Sequence, residues 1–172
     1  MITKLTTAPA LLVSVSTLKD YLKLDIATDD TLLSSIIKSA TEDVETYLNR
    51  KLNPQTWTTY YEMIDADQNY CYPDQRIPLP FEPVKSITSV KDQDGAVVSY
   101  RTIFSYPTML EPAQMPSESL VIVAEFGYDS GKIPERLLLA VQELASMYYE
   151  FRYQSMPDEI KAKIQQFRVL KV

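Results

Sequence analysis

Residues 120–150 read LVIVAEFGYDSGKIPERLLLAVQELASMYYE, and the apolar period changes inside that stretch. Leu120 to Phe126 is the most strongly apolar strand-like run of the chain and is placed at the centre of a sheet. Gly127 and Gly131 then bracket a turn. Pro134 suits the first turn of a helix, where its missing N–H costs nothing. Leu137, Leu138, Val141, Leu144, Ala145, Tyr148 and Tyr149 follow in steps of one and three, the stripe of an amphipathic helix. A strand therefore hands over to a long helix here, and the rest of the chain is read outward from this join.

Upstream, residues 55–127 are expected to form strands. Thr56-Trp57-Thr58-Thr59-Tyr60-Tyr61 is β-branched and aromatic. Ile77-Pro78-Leu79-Pro80 lacks two amide donors, so it is an edge or an extended linker. Ser86-Ile87-Thr88-Ser89-Val90 alternates apolar and polar. Asp94–Gly95 then separates it from Ala96-Val97-Val98-Ser99-Tyr100, a strong hairpin signal because Gly accepts positive φ.

Residues 16–50 are expected to be helical. Ser16 is the expected cap of a short first helix carrying Leu18, Tyr21, Leu22 and Leu24. Thr28, Asp29 and Asp30 offer a second N-terminus, where negative charge complements the helix dipole. Leu32, Leu33, Ile36, Ile37, Ala40, Val44, Tyr47 and Leu48 make one stripe over about five turns. Pro54 forbids continuation soon after Arg50–Lys51. Residues 133–170 are the C-terminal helices. Pro157 opens the last of them, with Asp158 and Glu159 in its first turn and a narrow stripe of Ile160, Ile164 and Phe167. Lys161, Lys163, Arg168 and Lys171 make that end basic.

The expected fold is α+β. It is a bundle of two long and two short helices with a small antiparallel β-sheet inserted between the N-terminal and C-terminal helices. One domain over residues 1–172 accommodates this.

Composition narrows the function. Apolar residues make up 45% and charged residues 23%, a globular balance. No run approaches a membrane span. Leu11–Leu12–Val13 is too short for a secretory apolar region, and Cys71 is the lone cysteine, so synthesis and residence in a cytoplasm are expected. A net charge of −6 argues against a general nucleic-acid coat and suits a conduit that repels DNA. The absence of histidine removes Ser-His-Asp and Cys-His nucleophiles and histidine metal sites.

The remaining motifs favour plain readings. Asp92-Gln93-Asp94-Gly95 superficially resembles an acidic calcium loop, but its Gly is fourth and its twelfth position is Ile103 rather than Glu. Glu42, Asp43 and Glu45 are read as a solvated helix face with nothing to raise a pKa. Tyr60, Tyr61, Tyr70, Tyr72, Tyr100 and Tyr106 could stack on bases. No basic residue lies between Tyr60 and Tyr72, so strand packing and subunit contact are preferred. The basic last helix fits either a surface helix obeying its dipole or docking on an acidic partner. No catalytic residue, cofactor site or metal site emerges.

The order of motifs resembles the head–tail connector (adaptor) proteins of long-tailed bacteriophages, in the subgroup with a β-insertion. Four stretches carry the likeness. They are Ser16-Thr17-Leu18-Lys19-Asp20-Tyr21-Leu22; Asp29 to Ala40 running on to Val44 through Arg50; Ile77 to Val84 with Ile87-Thr88-Ser89-Val90; and Phe126-Gly127-Tyr128 with Ile133-Pro134-Glu135, Leu137 and Tyr148 to Arg152. They span about residues 13–153. The chain departs from the family pattern between Asp65 and Asp74, and near Gln114–Pro116, where a Trp is expected and absent.

The resemblance implies a non-enzymatic virion protein, made in the host bacterial cytoplasm. It implies a ring of twelve copies beneath the portal protein, receiving a tail-completion protein below. Genomic DNA passes through the centre without sequence-specific binding. It also implies that the C-terminal helix reaches the portal, making Ile160, Lys161, Lys163, Ile164, Phe167, Arg168 and Lys171 candidate portal-docking residues. The outer sides of the two long helices are candidates for contact between copies. Two other readings stay open: a tail-completion or other virion ring component, and a small carbohydrate- or peptide-binding domain using the Tyr-rich β-section.

Overall fold

Seven strands and four α-helices make up the described part of a computed structural model, which covers all residues except 8, 26–27, 63–75, 106, 115, 117, 152–154 and 170–172. They fall into two compact units. One takes in Met1–Ala8 and Pro54–Gly127; the other takes in Pro9–Asn53 and Tyr128–Leu170.

The second unit is helical. Helix α1 spans Val15–Leu22, α2 Asp30–Leu48, α3 Glu135–Phe151 and α4 Asp158–Ile164, and a 3-10 turn follows at Gln165–Phe167. The cap of α1 is Ser14, not Ser16. Ser14 is extended (φ −72°, ψ 152°), and its Oγ accepts from the Thr17 N–H at 3.0 Å. Ser16 instead shares a hydroxyl contact with Ser14 at 2.8 Å. α1 ends where Lys23 turns left-handed (φ 56°), and Leu24 N–H reaches back to the Lys19 carbonyl at 3.0 Å. Asn49 (φ 53°) ends α2 in the same way, a conformation Asn tolerates better than most residues. Pro134 precedes α3, and its carbonyl accepts from Leu137 N–H at 2.8 Å.

The stripes meet as the periodicity requires. Leu33, Ile37, Ala40, Val44 and Leu48 of α2 share one buried cluster with Leu137, Ala140, Val141, Leu144 and Ala145 of α3. Leu18 of α1 and Ile160 and Ile164 of α4 complete it. Each such aliphatic side chain contributes about 1.5–3 kcal/mol on burial. The chain beyond α4 is tied down as well, since Val169 N–H donates to the Leu48 carbonyl at 2.9 Å.

The first unit corrects the expected fold class. It is not one small sheet inserted in a helical bundle. A four-stranded antiparallel sheet and a three-stranded antiparallel sheet account for much of the described structure. The strands are β1 (Ile2–Thr7), β2 (Gln55–Glu62), β3 (Ile77–Pro78), β4 (Val84–Asp92), β5 (Tyr100–Ile103), β6 (Met109–Pro112) and β7 (Ser119–Phe126). The larger sheet has the order β1-β2-β7-β4 and the smaller β3-β6-β5. The physical reason is that these strands bury a core of their own. Leu120, Ile122, Ala124 and Phe126 of β7 alternate into it and meet Ile77 of β3 and Leu110 of β6. Phe81 bridges the cluster, 4.9 Å from the Trp57 ring and 5.6 Å edge-on to Phe126. Tyr61 links the sheets by donating its hydroxyl to the Pro78 carbonyl at 2.7 Å.

β7 lies between β2 and β4, as its apolar run requires. The Asp94–Gly95 turn forms with Gly95 at φ 81°. Asp92 fastens it, its Oδ1 accepting from Asp94 N–H (3.0 Å) and Ala96 N–H (2.8 Å). The returning chain pairs only at Val97 and then leaves to become β5 in the smaller sheet.

Candidate functional site

The C-terminal helix was the sequence's strongest candidate for a working surface. Ile160 and Ile164 are fully buried in the helical unit's own core. Phe167 is half-buried against the same core. The helix is therefore fixed to its own unit through its apolar stripe. The carbonyl of Lys161 also accepts from the Tyr47 hydroxyl at 3.4 Å.

What α4 leaves at the surface is charge. Lys161 Nζ pairs with Asp158 at 2.8 Å, and Lys163 Nζ pairs with Glu143 of α3 at 2.7 Å. The hydrogen bond from Lys161 holds the Asp158 carboxyl below the usual aspartate range. The hydrogen bond to Glu143 holds the Lys163 ammonium above the usual lysine range. The Arg168 guanidinium lies 5.1 Å from the centre of the Tyr47 ring, a cation–π contact. Lys171 lies outside the described residues. Lys163 and Arg168 are oriented by neighbours yet exposed, and Lys161 is partly so, the arrangement of a surface that can meet an acidic partner.

Two tyrosines brace the same unit. The Tyr148 hydroxyl donates to Asp43 Oδ2, and the Tyr149 hydroxyl donates to Asp29 Oδ2 at 2.7 Å. Burial first, and then the bond to Asp43, push the Tyr148 phenol well above its ordinary value. The bond to Asp29 does the same for Tyr149. Asp29 stands at the N-cap position of α2, as the acidic run at 28–30 predicts, but its carboxylate makes no side-chain cap bond and accepts from Tyr149 instead.

The carboxylate cluster on α2 divides. Glu42 and Asp43 are exposed, as read. Glu45 is not solvated; it is buried, with Oε1 accepting the Leu52 N–H at 2.8 Å and Oε2 holding Lys51 Nζ at 2.9 Å. It fixes the chain that leaves α2. The signal was present in the sequence, because Glu45 lies three residues before Leu48 and eight after Ile37, on the apolar stripe.

The Tyr-rich section is only partly visible. Tyr61 is buried, while Tyr60 and Tyr100 are exposed on different sheets; Tyr70, Tyr72 and Tyr106 lie outside the described residues. A recess lined by Asp92, Val97, Val98, Ser99, Ala113, Gln114 and Pro116 sits beside the hairpin turn. Among the described residues no group of three potential metal ligands converges. No described helix is long and apolar enough to cross a membrane.

Comparison with known proteins bears on this geometry. A family model described as "Head completion protein" matches residues 11–161. No curated protein matches the chain. The fold is similar to a chain in the neck of an empty GTA particle computed with C6 symmetry. That likeness has a TM-score of 0.82 and 21% identity, covering 100% of this chain and 97% of that one. It is also similar to a chain in the neck of a native GTA particle computed with C12 symmetry, at TM-score 0.79, 21% identity and the same coverage. A chain of the virion of a native gene transfer agent particle gives TM-score 0.80, again at 21% identity, covering 100% of this chain and 97% of that one.

Proposed function

The chain belongs to the head completion protein family and is a structural virion component of the head–tail interface; we propose that it forms there one subunit of the ring joining the portal to the tail. The family match over residues 11–161 carries this reading. The fold likeness to necks computed with C6 and C12 symmetry supports a closed ring of copies, twelve in the mature particle. Its work is structural, with no catalytic step. The genome passes through the ring's centre, and a net charge of −6 suits a passage that repels DNA rather than gripping it.

In this reading the portal meets the polar side of α4, through Lys161 and Lys163, and the chain just beyond it, through Arg168 and the half-buried Phe167; Lys171 is the further basic residue of that end in the sequence. Ile160 and Ile164 serve the contact by holding α4 in place. A tail-completion protein docks on the opposite side of the ring. The test is to mix the purified protein with tail-less capsids that carry their portal, and to image the portal vertex by cryo-electron microscopy. A new ring of this fold beneath the portal is expected. Capsids that stay bare, with tail-completion protein also supplied, would overturn the reading.

A further inference from the structure

We propose that copies of this chain join head to tail through the two open strand edges of the β-unit, β1 on one flank and β5 on the other. The inference rests on the ring reading and specifies the contact that closes it.

The edges differ in how they are guarded. β4 carries two irregularities, between Val84 and Ser86 and between Ile87 and Ser89. Val97 bridges back onto its Lys91, and Val98 N–H donates to the Val90 carbonyl at 3.0 Å. β3 is two residues long and contains Pro78. Bulges, charges, proline, brevity and a covering segment are how sheet edges avoid pairing. β1 has six residues, no proline, one charge, Lys4, and a single irregularity near its end, between Leu5 and Thr7, which leaves Ile2–Leu5 in regular register. β5 has four residues, and its one charge, Arg101, is already paired with Glu111. Among the described residues each has a hydrogen-bonded neighbour on one side only.

The two edges also face apart. The Tyr61 hydroxyl bond to Pro78 sets β3 against β2. The Val98 bond to Val90 leads the chain from β4 straight into β5. β5 therefore lies on the β4 side, and β1, beyond β2, lies on the other. A ring of identical copies needs two different surfaces directed away from each other.

Exposed apolar side chains gather at the same two places. Met1, Ile2, Leu5 and Tyr60 stand at the β1 flank, with Ile2 64% exposed and opposite Tyr60 in the ladder. Val97, Tyr100 and Phe104 stand at the β5 flank, with Phe104 83% exposed. Among the described residues these are all the exposed large apolar side chains of the β-unit. A second copy is the occupant, because one chain supplies both halves of the contact. The charges agree: Lys4 on one flank would meet a flank whose turn carries Asp92 and Asp94.

The test uses particles complemented with a Cys71→Ser chain that carries Lys4→Cys and Arg101→Cys, treated with a short bis-maleimide. The neck of the same particles is imaged before treatment. A covalent ladder running past the dimer is expected from the double variant, and only monomer from either single variant. Dimer from Lys4→Cys alone would mean two-fold β1–β1 pairing and would overturn the head-to-tail contact. Monomer alone, from particles whose neck holds the ring, overturns it too and leaves the ring reading standing. Particles whose neck lacks the chain overturn the ring reading, and this inference with it.

Discussion

Replacing Ile160 by Ala separates two accounts of the last helix. If α4 were an arm held free for the portal, truncating its apolar stripe would weaken docking and leave the isolated protein as stable as before. Here Ile160 is 0% exposed in a core shared with α1, α2 and α3. Ala removes three side-chain carbons, worth roughly 2.4 kcal/mol at about 0.8 kcal/mol each. The cavity left by incomplete collapse adds to this, for a total of about 3–4 kcal/mol. A single domain holds only about 5–15 kcal/mol. At this chain length each kcal/mol moves the midpoint by about 2–4 °C. Thermal melts of the purified protein, followed by helical circular dichroism, should therefore fall by about 10 °C. Lys163→Ala is the control. It loses an exposed ion pair to Glu143, and such a pair is worth about 0.2–1 kcal/mol. An Ile160→Ala melt within ~2 °C of the parent would refute the burial argument.

Glu45→Ala should cost about 2–4 kcal/mol in denaturant unfolding, because the Leu52 N–H and Lys51 both lose the buried carboxylate; a loss below ~0.5 kcal/mol would show that water replaces it. Stability should decline as pH rises above about 10, the ordinary tyrosine value, because Tyr148 keeps its proton in the folded chain where the unfolded chain releases it. The folded state then binds more protons, so that contribution is intact below pH 10 and lost on the way up to the raised value. Tyr148→Phe should flatten the alkaline decline, and an unchanged slope would remove Tyr148 from the account.

Periodicity made α2 and α3 legible before any coordinates, because each carries a stripe wide enough to exclude other readings. The Asp94–Gly95 turn was legible because positive φ nearly dictates its residue. The second sheet was not, since β3, β5 and β6 are two to four residues long, and β3 pairs with β6 only across a long stretch of chain, Ile77 facing Leu110. β1 was missed for a different reason. Ile2–Thr7 is exposed at every position but one, so no alternation marks it. The stripe of Ile160, Ile164 and Phe167 was seen, and its meaning was open. A stripe says that a face is covered, and cannot say whether the cover is the chain's own core or a partner. Glu45 shows the converse, since a charged residue on the apolar stripe marks a buried carboxylate that backbone amides and a lysine satisfy.

The two units solve opposite problems. A subunit of an assembly must fold as a single copy and still present surfaces that want covering. The helical unit is closed, because α4 seals its core and Val169 ties the chain back to Leu48. Among its described residues it offers a partner charge and scattered exposed side chains such as Tyr21, Leu32 and Leu139. The β-unit is closed over its core but, among the described residues, open at β1 and β5. An open edge satisfies water while the copy is alone, and exchanges those bonds for backbone bonds when a copy arrives. The net gain per hydrogen bond is modest, about 1 kcal/mol, so single pairs form weakly. In a closed ring every copy makes the contact twice and no end is left to fray. In the proposed ring, weak edges would favour assembly on a template over premature closure in solution, the order that a head–tail junction requires.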